Sequence, residues 1–212
     1  MILVSVGLLL GFSGCDNDKP GGSDGVTSSL SEWPLQVGDW WKFERIIWDY
    51  EGQVTDTTSV TVVEEVSVLG GHAAYRALED PDMEEQWLMI IDGELRVYEE
   101  RPADGVPYNV LVKEPLRTGT TWQFYSEPIG GEFLTATITS SNATVQVPAG
   151  RFSGCVRVQV EPFYDSYFHI QAGLLKTTNS YGGIAGVSEE LIDYHLVGQP
   201  SEISIPRWPL AP

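Results

Sequence analysis

Trp87-Leu88-Met89-Ile90-Ile91-Asp92-Gly93-Glu94-Leu95-Arg96-Val97-Tyr98 is the stretch whose reading decides the fold. Asp92-Gly93 is a pair that readily supplies the left-handed backbone of a two-residue hairpin turn. The runs on either side, Trp87–Ile91 and Leu95–Tyr98, therefore read as neighbouring antiparallel strands. The same texture continues outward from this hairpin. Val60, Val62, Val66 and Val68 share one face of an extended run, with Glu64 interrupting it. Leu134, Ala136 and Ile138 alternate with threonines, and Phe152, Val156, Val158 and Val160 alternate with Arg157 and Gln159. A period of two sustained over such runs marks strands with one buried face.

Turn signals separate the runs: Tyr50-Glu51-Gly52, Leu69-Gly70-Gly71, Ala103-Asp104-Gly105, Gly130-Gly131 and Ser141-Asn142. Ser188-Glu189-Glu190 could open a short helix, but Leu191–Val197 alternates and reads better as a closing strand. Long helical periods are otherwise lacking. The expected class is all-β: a single antiparallel meander curled into a barrel or half-barrel, with a β-sandwich as the alternative.

One segment occurs twice. Pro34-Leu35-Gln36-Val37-Gly38-Asp39-Trp40-Trp41 returns as Pro115-Leu116-Arg117-Thr118-Gly119-Thr120-Thr121-Trp122, offset by 81 residues. Each copy sets Pro-Leu before a Gly turn and a Trp at the start of a strand. Two copies are too few for a solenoid. They suggest two comparable meander halves, each anchored by a buried Trp; a good turn into a strand would also account for the pattern alone.

The start of the chain has a different character. From Ile2 to Phe12 nothing is charged, and Ser13-Gly14-Cys15 follows. This run is about half of the ~20 residues a membrane-crossing helix needs, and it suits the apolar region of an export signal. It resembles the end of a bacterial lipoprotein signal peptide. That resemblance implies cleavage before Cys15 and a diacylglyceryl group on its thiol; two or more acyl chains make membrane attachment stable. Residues 16–31 are rich in Gly, Ser and Asp and read as a flexible tether with a reach of roughly 20–24 Å. The expected organisation is a signal peptide over 1–14, lipidated Cys15 and tether over 15–31, a β-domain over 32–198 and an extended C-terminal segment over 199–212. The expected location is the bacterial cell envelope, periplasmic or surface-exposed, with the membrane as a partner through the N-terminal acyl chains.

A second resemblance spans most of residues 33–196. Pro34 to Trp41, Val147-Pro148-Ala149-Gly150-Arg151-Phe152-Ser153-Gly154-Cys155 and Gly173-Leu174-Leu175-Lys176 together resemble a family of exported bacterial proteins of uncharacterised function, all-β envelope lipoproteins. The resemblance implies a location and an all-β fold. It implies no catalytic residues.

Composition narrows the function. Thirty acidic against twelve basic residues give a net charge of −18, which argues against nucleic acid as a partner, since phosphates demand Lys and Arg. It equally argues against anchoring by attraction to anionic lipid headgroups. With 42% hydrophobic and 11% aromatic residues the chain is not a disordered polyanion. With Cys15 lipidated, Cys155 has no partner in the chain, and among Val156, Val158 and Val160 it reads as a small buried hydrophobe.

Asp80, Asp82 and Glu84 have alternate spacing that could offer oxygen ligands to Ca²⁺, but a calcium loop also needs a Gly and a bidentate Glu at set distances. An acidic turn explains them more simply. His72, His169 and His195 lack metal-ligand spacing, and His169 reads as a strand residue facing solvent or a backbone partner. Neither Gly-x-Ser-x-Gly nor a phosphate loop is present. No cofactor or metal is expected. Aromatics are the remaining signal: Trp41, Phe43 and Ile47 share one face of a strand, and Trp40, Ile46 and Trp48 the other. Trp40, Trp41, Phe43 and Trp48 are therefore the candidate apolar ligand surface; core packing, or cover by Ile203 to Pro212, is the alternative use of these rings.

The expected function is a lipid-anchored, non-enzymatic envelope protein whose β-domain binds or scaffolds, with an envelope protein or hydrophobic molecule as partner. The alternatives are a carrier holding lipid in a half-barrel cavity and, less favoured, a hydrolase using carboxylates such as Asp82 and Glu84.

Overall fold

The structure, a computed structural model, describes residues 29–126, 132–181 and 184–198. The expected signal peptide, Cys15, most of the tether, the Gly130-Gly131 turn and the C-terminal segment lie outside the described residues. Twelve strands follow one another: β1 (Trp40–Asp49), β2 (Gly52–Val68), β3 (His72–Asp80), β4 (Glu84–Ile91), β5 (Glu94–Tyr98), β6 (Asn109–Lys113), β7 (Thr121–Ser126), β8 (Glu132–Val147), β9 (Gly150–Val160), β10 (Tyr164–His169), β11 (Gly173–Tyr181) and β12 (Ala185–His195). They form one antiparallel sheet in the order β6-β5-β4-β3-β2-β1-β12-β11-β10-β9-β8-β7, curled into a nearly closed barrel. The sandwich alternative is thereby set aside. The hairpin at Asp92-Gly93 has both central residues at positive φ, 54° and 71°, the conformation that matches strand twist in a two-residue turn.

Every pair of consecutive strands is adjacent in the sheet except β6 and β7, which stand at its two edges. β1 pairs with β12, which joins two meanders, β1–β6 and β7–β12. The repeated segments lead into these two halves and make the same bonds. Gly38 N–H donates to the Val62 carbonyl at 2.9 Å, and Gly119 N–H to that of Ile138 at 2.8 Å. Val62 N–H returns to Asp39 O and Ile138 N–H to Thr120 O, both at 2.9 Å. Both glycines need positive φ, 101° and 91°, which other residues rarely adopt. The correspondence runs further: cis X-Pro bonds at Asp80-Pro81 and Glu161-Pro162 sit in the β3–β4 and β9–β10 turns.

A barrel with a two-fold relation between its halves has two seams. One is the β1:β12 ladder, paired from Trp40–His195 to Trp48–Gly186. The other lies between β6 and β7, which share no ladder. Side chains bridge it. Trp122 on β7 donates its indole N–H to the Val110 carbonyl on β6 at 2.8 Å, and Asn109 Oδ1 accepts from Tyr125 N–H at 2.9 Å. The buried indole matters most here: a single hydrogen bond nets about 1 kcal/mol, whereas truncating a buried Trp typically costs about 3–5 kcal/mol.

Trp41, Phe43, Val62, Ile138, Val158 and Leu191 belong to one continuous buried cluster. Leu30, Leu35 and Leu116 join it from the segments before β1 and β7. Leu30 is only 1% exposed, and its N–H, with the Ser29 hydroxyl, donates to Glu114 at 2.7 and 2.8 Å. The packed body therefore begins inside the segment read as tether, before Glu32.

The four valines of β2 do not share a face, because the register with β3 shifts between Val62 and Glu64. The bulge sends Val62 inward and turns Val66 and Val68 to the opposite face, where they pack against Ala74, Trp87, Met89 and Tyr98. Extra strand residues reverse the side-chain phase, so a second, smaller core lies outside the barrel wall with Val106 from the β5–β6 loop against it. Ser141-Asn142 is not a turn either. It lies within β8, where the register with β9 shifts between Ser140 and Ala143.

Candidate functional site

Because successive strands run antiparallel, their connections alternate between the two ends of the barrel. The segment leading into β1, the β6–β7 link and the exit after β12 share one end. Asp39 ties this end together: it is 1% exposed and accepts from Gln36 N–H at 2.8 Å and Val197 N–H at 2.7 Å. The turns after β1, β3, β5, β7, β9 and β11 share the other end.

That second end carries most of the exposed apolar side chains. Tyr50 in the β1–β2 turn is 85% exposed, Met83 in the β3–β4 turn 61% and Ile184 before β12 68%. Phe133 at the start of β8, Tyr108 before β6, and Val54 and Ile47 beside the first turn are exposed as well. Asp49, Glu51, Asp82, Glu84, Glu99 and Glu100 are exposed among them. The result is a rim of separate apolar tips set in negative charge. Single surface apolar residues are ordinary; their gathering at one end of the barrel is the feature here.

Inside the wall near this rim, Arg45 is faced by carboxylates from three strands and a turn. Asp56 binds it at two points, 3.0 Å each; Glu79 lies at 3.5 Å and Asp82 at 3.7 Å. Glu189 is its register partner on β12. Burial raises the proton affinity of Glu79 despite Arg45, and burial together with the nearby Glu79 charge raises that of Glu189. Two carboxyls with raised pKa in a cleft would suit acid–base chemistry. These two sit in a packed ion cluster with Arg45 between them. A shallow groove among the described residues opens on the other face, beside Asp80.

The four aromatic residues proposed as a ligand surface are divided by the strand. Trp41 and Phe43 are core residues, 6% and 5% exposed, and the Trp41 indole donates to the Ala172 carbonyl at 2.7 Å. Trp40 and Trp48 are half-buried on the outer face, with exposed Lys42 and Glu44 between them. Trp40 stacks on His195 at 6.3 Å; Trp48 lies over the bare backbone of Gly186. No single apolar surface joins all four. Alternation along β1 already separated these faces, but it could not say which one the barrel would close over.

The other candidates are also placed. Asp80, Asp82 and Glu84 surround the β3–β4 turn, with Asp82 turned to Arg45; among the described residues no group of three or more His, Cys, Asp or Glu could hold a metal ion. Cys155 is fully buried, and burial pushes its thiol up to about 11. His169 packs on Phe152 at 5.6 Å, with burial lowering its pKa and its Nδ1 buried without a partner. It faces neither solvent nor a backbone acceptor through that atom. The Arg45 cluster and the apolar rim are what sequence reasoning missed. Arg45 and Asp56 come into register only once the β1–β2 turn is fixed at Tyr50-Glu51.

The sequence matches no family model and no curated protein. Solved structures are similar at low identity. A protein of Bacteroides fragilis regarded as exported, with a YmcC-like fold, is 12% identical with a TM-score of 0.45, covering 77% of this chain and 98% of its own. A protein of Parabacteroides distasonis regarded as a lipoprotein is 13% identical with a TM-score of 0.46, at the same coverages. A domain from Vibrio parahaemolyticus regarded as an outer-membrane lipoprotein-sorting protein is 10% identical with a TM-score of 0.28, covering 82% and 91%. Likenesses of this size carry no function across.

Proposed function

We propose that this chain is a lipid-anchored protein of the bacterial envelope whose barrel is a non-enzymatic binding or scaffolding platform. The anchor is Cys15, reached through the residues before Ser29. The observation that carries the platform reading is the division of the barrel between its ends. The chain enters beside Glu114 at one end, and Tyr50, Met83, Phe133 and Ile184 are displayed at the other. A barrel held at the first end presents the second to the surrounding compartment. Exposed aromatic and Met side chains are the residue types enriched at protein contacts, and the acidic surround favours a partner with basic residues.

The continuous buried cluster that includes Trp41, Phe43, Ile138, Val158 and Leu191 supports binding on the outside over carriage of a lipid within. A photoreactive phenylalanine analogue in place of Tyr50 or Phe133 tests the platform in cells. Discrete protein adducts are expected at both positions and not at Val37, at the anchored end. Lipid adducts at the rim, or lipid recovered with the purified chain, would support the carrier instead.

A further inference from the structure

We infer that the outer face of the barrel wall at β1–β3 is a saccharide site, which takes a neutral glycan across the groove lined by Trp40, Lys42, Thr57, Ser59, Thr61 and Asp80. The groove is shallow, about 410 Å³. Its floor is set by the ladder: Trp40 stands opposite Thr61, Lys42 opposite Ser59, and Ser59 opposite Asp80. Alternation gives these side chains one face, away from the core that buries Trp41 and Phe43.

Trp40 supplies the apolar part of the site. Its ring is half-buried and stacks on that of His195, its ladder partner on β12, with centroids 6.3 Å apart and planes 26° from parallel. The indole is braced from the β12 side, and the groove opens beside it toward Thr61 on β2. One face of a pyranose ring is a patch of C–H bonds edged by hydroxyls. That face packs on a flat aromatic side chain, and the hydroxyls then need polar partners set around the ring.

Such partners stand beside Trp40 and are uncommitted. Thr57, Ser59 and Thr61 occupy every second position of β2, about 6.8 Å apart, and form a hydroxyl row longer than one sugar ring. Threonine favours strands in general; what singles out this row is that none of its hydroxyls makes a hydrogen bond among the described residues. By contrast, Ser166 and Thr177 on β10 and β11 bond each other at 2.8 Å. Lys42 and Asp80 are exposed and have no ion-pair partner among the described residues, whereas Arg45, Arg76, Arg157 and Lys176 in the same sheet are all paired. A cationic donor, a carboxylate acceptor and three hydroxyls around one indole match the mixed donors and acceptors of a sugar edge. A net charge of −18 disfavours an anionic glycan, and a lone Lys gives too little positive charge for nucleic acid. The chemistry that fits is a neutral saccharide.

The site lies on the wall, apart from the exposed tips of the rim, so its test is independent of the platform reading. Proton–nitrogen NMR of the full chain follows the Trp40 indole signal, assigned by its loss in Trp40→Phe. The probes are cellotetraose, maltotetraose, mannotetraose and N-acetylated chitotetraose, with tetragalacturonate as the acidic counterpart. At least one neutral probe is expected to shift that signal saturably. By calorimetry, Trp40→Ala should weaken that probe about tenfold, the weight of one aromatic contact. Thr61→Val and Ser59→Ala should each weaken it about fivefold, the weight of one hydrogen bond. Circular dichroism confirms that each variant is folded, and the two hydroxyl variants carry the test if Trp40→Ala does not fold. A Trp40 signal that responds to none of the neutral probes overturns the inference. So does an affinity unchanged in the folded variants, or tetragalacturonate bound as tightly as the neutral sugars.

Discussion

Trp41 and Trp122 stand in equivalent places 81 residues apart, each the second residue of its strand and each donating its indole N–H to a backbone carbonyl across the sheet. Trp41 bonds to Ala172 at 2.7 Å and Trp122 to Val110 at 2.8 Å. Their settings differ in one respect. β1 has a ladder on both sides, while β7 has one only toward β8. Trp122 is thus a principal bond of the open seam, and Trp41 is one contact among many.

Trp122→Phe keeps the ring and removes the donor. It is expected to lower stability by about 1–3 kcal/mol, the usual cost of leaving a buried acceptor unmet, and to raise hydrogen exchange selectively in β6. Trp41→Phe should cost a similar amount with no selective loss of protection in β1. Exchange mass spectrometry of the two variants tests this; equal behaviour at the two strands would refute the difference between the seams.

Gly186 has no room for a methyl group. An added Cβ would collide with the backbone carbonyl of Asn179 and the indole of Trp48. The carbonyl belongs to the β11:β12 ladder and cannot retreat, so Gly186→Ala should cost about 3 kcal/mol by overpacking. Shaving the indole with Trp48→Ala should restore only part of that loss, because the carbonyl remains. Urea midpoints of the single and double variants measure both effects.

Glu189 makes stability depend on pH. Burial, then the charge of Glu79, raises its pKa above the ordinary 4.5, so the folded state holds the proton more tightly than the unfolded chain. The stability this gives is fully present below pH 4.5 and is lost as pH rises through the raised value. Glu189→Gln should therefore match the parent chain below that pH and exceed its stability above it. Denaturation at pH 4 and pH 8 reads the change; a variant less stable at pH 8 would show that Arg45 outweighs burial.

Cys155 should be inert until the barrel opens. It is fully buried, with its thiol pushed up to about 11, and only the thiolate reacts readily. Iodoacetamide at pH 8 is expected to modify it at the rate of global unfolding. Labelling much faster than the loss of far-ultraviolet circular dichroism would reveal a local opening at β8 and β9.

The strands were legible because alternation survives wherever the wall separates core from solvent: Ala136 and Ile138 on β8, and Val156, Val158 and Val160 on β9, are all buried as their spacing suggests. The Asp92-Gly93 turn was legible from two residues. The doubling of the barrel showed only in the Pro-Leu-x-x-Gly lead-in, since Gly38 and Gly119 both need positive φ while strand positions accept many apolar residues. The bulge between Val62 and Glu64 left no mark, because one extra residue shifts the phase without changing composition. The outer core of Trp87, Met89 and Tyr98 was hidden for a related reason: these residues alternate correctly, but on the face opposite the barrel interior. The Arg45 cluster depends on the register among β1, β2, β3 and β12, which pairwise spacing does not contain.

The claim on which the functional account rests is that the barrel is held at a membrane through Cys15. Metabolic labelling with a palmitate analogue, comparing the parent chain with Cys15→Ala, tests it most directly. The account predicts label in the parent and none in the variant, with the variant released from the membrane fraction. A parent chain that takes up no label would contradict it.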